Sequence, residues 1–479
     1  MIRVNDFSYD RLDYSESFAN WYRKVDSFVE SPGFSNFIDH FVYNYSLTPF
    51  AIKQYSKRYL INCFSFISGN YKVNLKRSFL FSLEVQYRLF LTYLMLKSGD
   101  DRSQDLRHYD IVIDEIENFD HESSYFRKII DCSDLNIGFV ATRNVGDLEN
   151  VLLFPFRTNY SRPVVKDAIQ KEKRHGIKTY TEVSNDLSFN AFRLAASLVN
   201  NLLYYKTVFS AVRCKYTLAM RDYNSYSIKR NIFSNYGGGG IAAVQRSTQH
   251  EIPLSCFVDL DIHFSLCGEW SKNVLQSYGG SIGEIIPIGS LLFEQHLDNY
   301  VGAADRKIDL LCFDTMFRDA NLWESFNSEH FTTWQWPIDF ASNHRHLNIS
   351  ISVRKYRPPP SEIVQKLKEA SIDIIYSDTS YSLVERAKVF TTFYSTIGFE
   401  LLGEGHEVIF MNPARNRVYL PVSLEFDPHQ VHSYQDFESR VLTLLRSERH
   451  VSKVPNNDQH YAASSSRNAA TKIINRLSM

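Results

Sequence analysis

Apolar residues fall in two kinds of run along this chain, and the alternation between them sets the architecture. Short, continuous, β-rich runs occur at Asp110-Ile-Val-Ile-Asp114, Asn136 to Thr142, Val151 to Phe154, Tyr216 to Met220, Ile241 to Val244 and Ile285 to Ile288. A second series follows at Ile308 to Phe313, Leu347 to Val353, Ile374-Ile375, Val389 to Phe393 and Val408 to Met411. Between them lie segments with helical spacing, among them Leu187 to Val212, Ser225 to Ser234, Glu362 to Ala370 capped by Ser361, Ser380 to Lys388, Ile397 to Leu402 and Tyr434 to Arg446. Buried strands alternating with helices this closely predict parallel βαβ units. The first hundred residues differ. Phe18 to Val29 and Lys76 to Lys97 carry apolar residues at helical spacing with few Gly or Pro, which predicts a helical region.

Four segments follow: a helical N-terminal region (1–105), a first Rossmann-like domain (106–298), a second Rossmann-like domain (299–445) and a basic, partly disordered tail (446–479). The boundary near 299 is a polar linker, Asn299 to Lys307, ahead of the fresh strand at Ile308. No internal sequence repeat is evident. The expected fold is α/β, with two Rossmann-like halves facing a cleft and a helical N-terminal region.

Composition narrows the classes. At 479 residues, 44% hydrophobic and 22% charged, the chain is globular and long enough for two or three domains. A net charge of −1 argues against a general nucleic-acid binder. The six cysteines show no CxxC and no paired spacing, which fits free thiols in a reducing compartment. The N-terminal stretch lacks an apolar signal-peptide core, and Leu89 to Leu96 is too short to span a bilayer. A cytoplasmic protein is expected, at the inner face of the membrane if its basic tail touches anionic lipid.

Candidate chemistry sits at the carboxyl ends of the strands, where ligands bind in such sheets and helix N-termini point. Ser395 and Thr396 offer two hydroxyls and backbone N–H groups to an anion, and Glu400 lies one helical turn on, placed to accept from a ribose. Gly289-Ser290 closes a strand at the end of the first half. Arg354 and Lys355, with Arg357, offer positive charge to a phosphate or carboxylate. Asp222, just past a strand, is the first candidate for chemistry; Asp114 and Glu115 are in reserve. Gly237 to Gly240 reads as a hinge, followed by a loop holding Gln245 and His250. Asp259 and Asp261 form a DxD pair, for which alternating acids on a strand are the preferred reading over a metal site. No His/Cys/carboxylate cluster has metal-ligand spacing, so no metal and no cofactor are expected.

The run Ser395-Thr396-x-Gly398-x-Glu400-x-x-Gly403 resembles the C-terminal half of GT-B glycosyltransferases of bacterial surface-polysaccharide synthesis, closest to Kdo transferases and CDP-glycerol transferases. Asp222, a helix and then Gln245 with a displaced His250 also resemble those enzymes, which carry a QHG-like loop there. The resemblance implies metal-independent transfer from a nucleotide-activated sugar, a CMP-Kdo-like donor ahead of a UDP-sugar, to a lipid-linked or oligosaccharide surface-glycan acceptor. It places Ser395, Thr396 and Glu400 on the nucleotide with Gly289 and Ser290 across the cleft. The alternatives are a sugar-nucleotide 2-epimerase, a CDP-glycerol-type phosphotransferase, and a non-catalytic sugar-nucleotide or glycan binder.

Overall fold

The computed structural model describes residues 16–67, 106–116, 119–141, 151–153, 162–172, 179, 191–220, 226–245, 257–266, 276, 279–298, 307–314, 324–355, 358–377, 380–393, 395–413, 429–447 and 468–479. The elements in order are α1 (Glu16–Val29), α2 (Pro32–Tyr45), α3 (Pro49–Ile67), β1 (Arg107–Ile116), α4 (Phe119–Cys132), β2 (Ile137–Ala141), β3 (Val151–Leu153), α5 (Arg162–Lys171), α6 (Ala191–Ala211), β4 (Val212–Ala219), α7 (Ser227–Asn235), β5 (Gly240–Val244), β6 (Asp259–Ser265) and β7 (Ser281–Pro287). After α8 (Leu291–Asp298) come β8 (Ile308–Phe313), α9 (Glu324–Asn343), β9 (Ile349–Arg354), α10 (Ser361–Glu369), β10 (Asp373–Ser377), a 3-10 helix (Tyr381–Arg386), β11 (Ala387–Thr392), α11 (Thr396–Gly403), β12 (Val408–Met411), β13 (Gln430–Val431), α12 (Tyr434–Arg446) and α13 (Ala469–Ser478).

The strands make two wholly parallel sheets, ordered β3-β2-β1-β4-β5-β6-β7 and β10-β9-β8-β11-β12-β13. Each runs outward from its first strand, then reverses and continues on the other side, so both carry the 3-2-1-4-5-6 order of a Rossmann half. The expected fold, two Rossmann-like halves with a helical N-terminal region, is the observed one. Both faces of each sheet are covered, so the strands are apolar on both sides. On the first sheet, Val112, Val140, Ile241 and Leu260 pack with α1–α3 and α5–α7, while Ile111, Ile113, Leu218 and Phe264 pack with α4, α8 and α13. On the second, Leu311, Phe313 and Phe390 face the 3-10 helix and α11, and Leu310, Ile351 and Val389 face α9, α10 and α12.

The two halves share a local device as well as a strand order. Asp110, in the first half of β1, accepts from the backbone N–H of Asn136 (2.8 Å), whose side chain donates to His108 O (2.9 Å). Asp309, the second residue of β8, accepts from Asn348 N (2.9 Å), whose side chain donates to Lys307 O (3.0 Å). Both asparagines stand in a Leu-Asn-Ile triplet that feeds the second strand, with Ile111 opposite Ile137 and Leu310 opposite Ile349. This short repeat escaped the sequence reading because three residues are too few to register without the strand alignment.

Several expectations change. Helix α6 stops at Ala211 and β4 starts at Val212, four residues earlier than expected, because Val212, Cys214 and Leu218 are buried. The Ser380–Lys388 helix is a 3-10 turn with β11 already under way at Ala387. Ser361 lies inside α10, with Pro360 at the cap. The Gly237–Gly240 hinge is instead a close-packed turn. A Cβ on Gly239 would sit 2.4 Å from Lys215 O, one on Gly238 2.4 Å from the Phe233 ring, and Gly237 takes φ +76°. Within the tail, expected to be partly disordered, residues 469–478 form α13, with Ala469, Ala470, Ile473 and Leu477 buried against the first half. The expected helix at Lys76–Lys97 lies outside the described residues. No helix among the described residues is long and apolar enough to cross a membrane.

Candidate functional site

Strand β7 ends at Pro287, Gly289 turns the chain at φ +78°, and Ser290 starts α8 by accepting from Phe293 N at 3.2 Å. The helix that follows is divided between the halves. Leu291 packs with the first sheet, whereas Phe293 joins the core of the second beside Ile308, Leu383 and Phe390. Helix α8 thereby carries Gly289 and Ser290 to the second half.

In that second half, β11 ends at Thr392, whose hydroxyl donates to Phe313 O (3.3 Å) and accepts from Ser395 N (3.2 Å). Ser395 is the extended N-cap of α11, and its side chain makes no capping bond to its own helix. Ser395 and Thr396 are half-buried at the helix N-terminus, at the carboxyl end of a strand beside the point where the strand order reverses. A Cβ on Gly398 would lie 2.7 Å from Thr392 Cγ2 and 3.0 Å from the Phe410 ring. Glycine there lets α11 lie flat on β11 and β12.

Glu400 points from α11 toward α8 and is 1% exposed. The Tyr381 hydroxyl donates to its Oε2 at 2.7 Å, and the Ser290 hydroxyl from the other half also favours its charged form. Burial outweighs both and raises the carboxyl to about 7. Burial, and then the Glu400 charge, push the Tyr381 hydroxyl well above its ordinary range. The Tyr381 ring meets Phe293 edge-on at 5.7 Å and His296 at 6.1 Å, and His296 Nε2 is 4.0 Å from Glu385. Gln295 donates to Tyr125 O (3.0 Å) and Tyr125 donates to Gln245 O (3.4 Å). Ser290 and Glu400 thus meet at one junction with Tyr381 and Phe293, and Gln245 is linked to it only through Tyr125.

The other candidates lie apart from this contact. Gln245 Oε1 accepts from Ser265 Oγ (3.1 Å) and Leu266 N (2.9 Å), tying the ends of β5 and β6. Asp114, held in reserve as a catalytic acid, is a buried charge paired with Lys229 Nζ at 2.5 Å, which takes it out of solvent. Glu115 lies in β1 with its side chain outside the described residues, as do all of Asp222, His250 and Arg357. Arg354 and Lys355 are exposed at the end of β9. Asp259 and Asp261 both receive the Arg230 guanidinium, and Ile241 N donates to Asp261 (2.8 Å). They stand at the start of β6, the end of the sheet away from ligands, so the DxD is an arginine clamp. Among the described residues no group of three or more His, Cys, Asp or Glu could hold a metal ion.

Tyr381 was missed because its segment reads as a polar helix with Leu383, Val384 and Ala387 on one face. Its position just past a strand end was the available signal. Asp314 was missed too. It follows β8 at the point where the order reverses and accepts from Trp334 Nε1 at 2.9 Å.

No protein-family model and no curated protein sequence matches the chain. Among solved structures it is similar to a mutant of the Thermobaculum terrenum O-GlcNAc transferase, at 9% identity over 90% of this chain and 80% of that one, TM-score 0.33. It is similar also to the wall teichoic acid polymerase TagF, at 9% identity over 85% of this chain and 98% of that one with a TM-score of 0.40 in a CDPG-soaked structure, and at 10% identity and 0.38 in another. The strand order and register, and not these similarities, assign the fold.

Proposed function

We propose that this chain is a GT-B-type glycosyltransferase that moves a sugar from a nucleotide-activated donor to a surface-glycan acceptor. The observation behind this reading is the junction itself. The end of the first sheet, through Gly289 and Ser290, reaches Glu400 on the helix that Ser395 and Thr396 open in the second. Helix N-termini at strand ends favour negative charge, which here would be the donor phosphate.

In this reading Ser395, Thr396 and the first N–H groups of α11 bind the phosphate, and Glu400 takes the ribose hydroxyls. These groups oppose the charge that builds on the leaving nucleotide as the bond from the anomeric carbon to phosphate oxygen breaks. Arg354 and Lys355 match the carboxylate of a CMP-activated acidic sugar, which we favour over a UDP-sugar. Asp222 would take the proton of the acceptor hydroxyl as its oxygen attacks the anomeric carbon, or in a retaining enzyme attack that carbon itself. A lipid-linked acceptor would bring the enzyme to the membrane surface.

Ligand-induced thermal stabilisation against CMP, CDP, UDP, GDP and their sugars tests this reading. A ligand at 100 times its dissociation constant adds about 2.7 kcal/mol. The expected result is a rise with CMP or a CMP-sugar that disappears in the double variant Ser395→Ala, Thr396→Ala. No response to any nucleotide would contradict the proposal.

A further inference from the structure

The polar side chains of α8 are committed to both sides of the interface. Glu294 pairs with Lys128 (3.2 Å) and accepts from Ala470 N (2.8 Å), and Gln295 donates to Tyr125 O (3.0 Å), all within the first half. Ser290, Phe293 and His296 turn to Tyr381, Glu385 and Glu400 of the second. Glu400 ends in this contact with its carboxyl enclosed. A charged carboxylate enclosed by two hydroxyls and aromatic rings is strongly disfavoured. The neutral carboxyl suits the same place, because its O–H can donate to Ser290 Oγ while its other oxygen accepts from Tyr381.

We propose that Glu400 is a protonation-sensitive latch between the two halves: the neutral carboxyl closes them through Tyr381 and Ser290, and its ionisation releases them. In consequence, and resting here on the proposed function, the released carboxylate becomes available to a ribose. Closed, Glu400 titrates at about 7 against an ordinary 4.5. The closed form holds the proton more tightly, so closure is fully supported below the ordinary value. It weakens as pH rises from there through about 7 and is level above. The closing equilibrium falls by roughly 300-fold across that window.

Among the described residues, the other titratable groups around the junction are Tyr381, Glu385 and exposed Arg386 on the 3-10 turn, Glu294 and His296 on α8, Tyr125 and Lys128 on α4, and Glu404 and His406 after α11. Burial lowers His296, with Glu385 opposing it. Closure therefore disfavours the charged imidazole, and His296 alone would make closure stronger as pH rises, the opposite sign to Glu400.

Small-angle X-ray scattering of the full chain without nucleotide, from pH 5 to 8.5, tests the latch. The wild type is expected to widen as pH rises, and Glu400→Gln, neutral and of the same shape, to stay narrow throughout. Ser290→Ala, which removes the acceptor, is expected to be wider than wild type at low pH, so the test stands if Glu400→Gln fails to fold. Equal profiles for wild type and variants, or widening as pH falls, would overturn the latch. Because no nucleotide is present, this result is independent of the nucleotide panel, and either can fail alone.

Discussion

Lys229→Met is expected to lower the unfolding free energy by about 3–5 kcal/mol, the usual cost of stranding one partner of a buried ion pair. Lys229 is fully buried, its ammonium 2.5 Å from Asp114 and 4.8 Å from the centre of the Tyr226 ring. Methionine fills a similar volume and leaves the Asp114 charge in a core beside Val112, Ile228 and Ile232. The double variant Asp114→Leu, Lys229→Met removes both charges and should recover most of the loss, since replacing a whole buried pair by apolar groups is often neutral. Urea denaturation checks this through the midpoint at constant slope. A single variant within about 0.5 kcal/mol of wild type would mean that solvent reaches the pair. Tyr226, at φ +52° just before α7, makes this a place where structure is held against local preference.

Ile473→Ala is expected to cost about 2–5 kcal/mol, although only six residues of the sequence follow it. Its side chain is 0% exposed, packed with α4, α8 and the first sheet. Glu294 accepts from Ala470 N, Lys472 donates to Pro287 O (3.1 Å) and Arg476 reaches Glu284 (2.7 Å), so the helix is fastened along its length. The exposed Asn475 on the same helix is the control, and Asn475→Ala should stay within about 0.5 kcal/mol of wild type. Thermal unfolding and proteolysis of the last ten residues report the effect. Equal midpoints for the two variants would show that α13 adds little to the fold.

Much of the fold was legible because buried parallel strands are continuous apolar runs, as at Asp110–Asp114, Ile308–Phe313 and Val389–Phe393, and local residues dictate them. What depends on partners distant in sequence was not. Ser290 and Glu400 could each be named from a strand–turn–helix pattern, yet nothing local says that they meet each other, with Tyr381 between them. Asp114 looks like an open acid until Lys229, 115 positions on, is placed beside it. The four glycines look like a hinge until the Lys215 carbonyl and the Phe233 ring are seen against them. The 3-10 turn at Tyr381 has helical spacing over too few residues to separate from an α-helix.

The central claim is that the N-terminus of α11 is an anion-binding end facing a nucleotide. Amide hydrogen exchange of residues 395–400, with and without a saturating CMP-sugar, tests it most directly. The account predicts slower exchange at the first N–H groups of α11 and at Ser290, with little change at the DxD strand β6. Unchanged exchange at α11, or protection centred on Asp259 and Asp261, would contradict it.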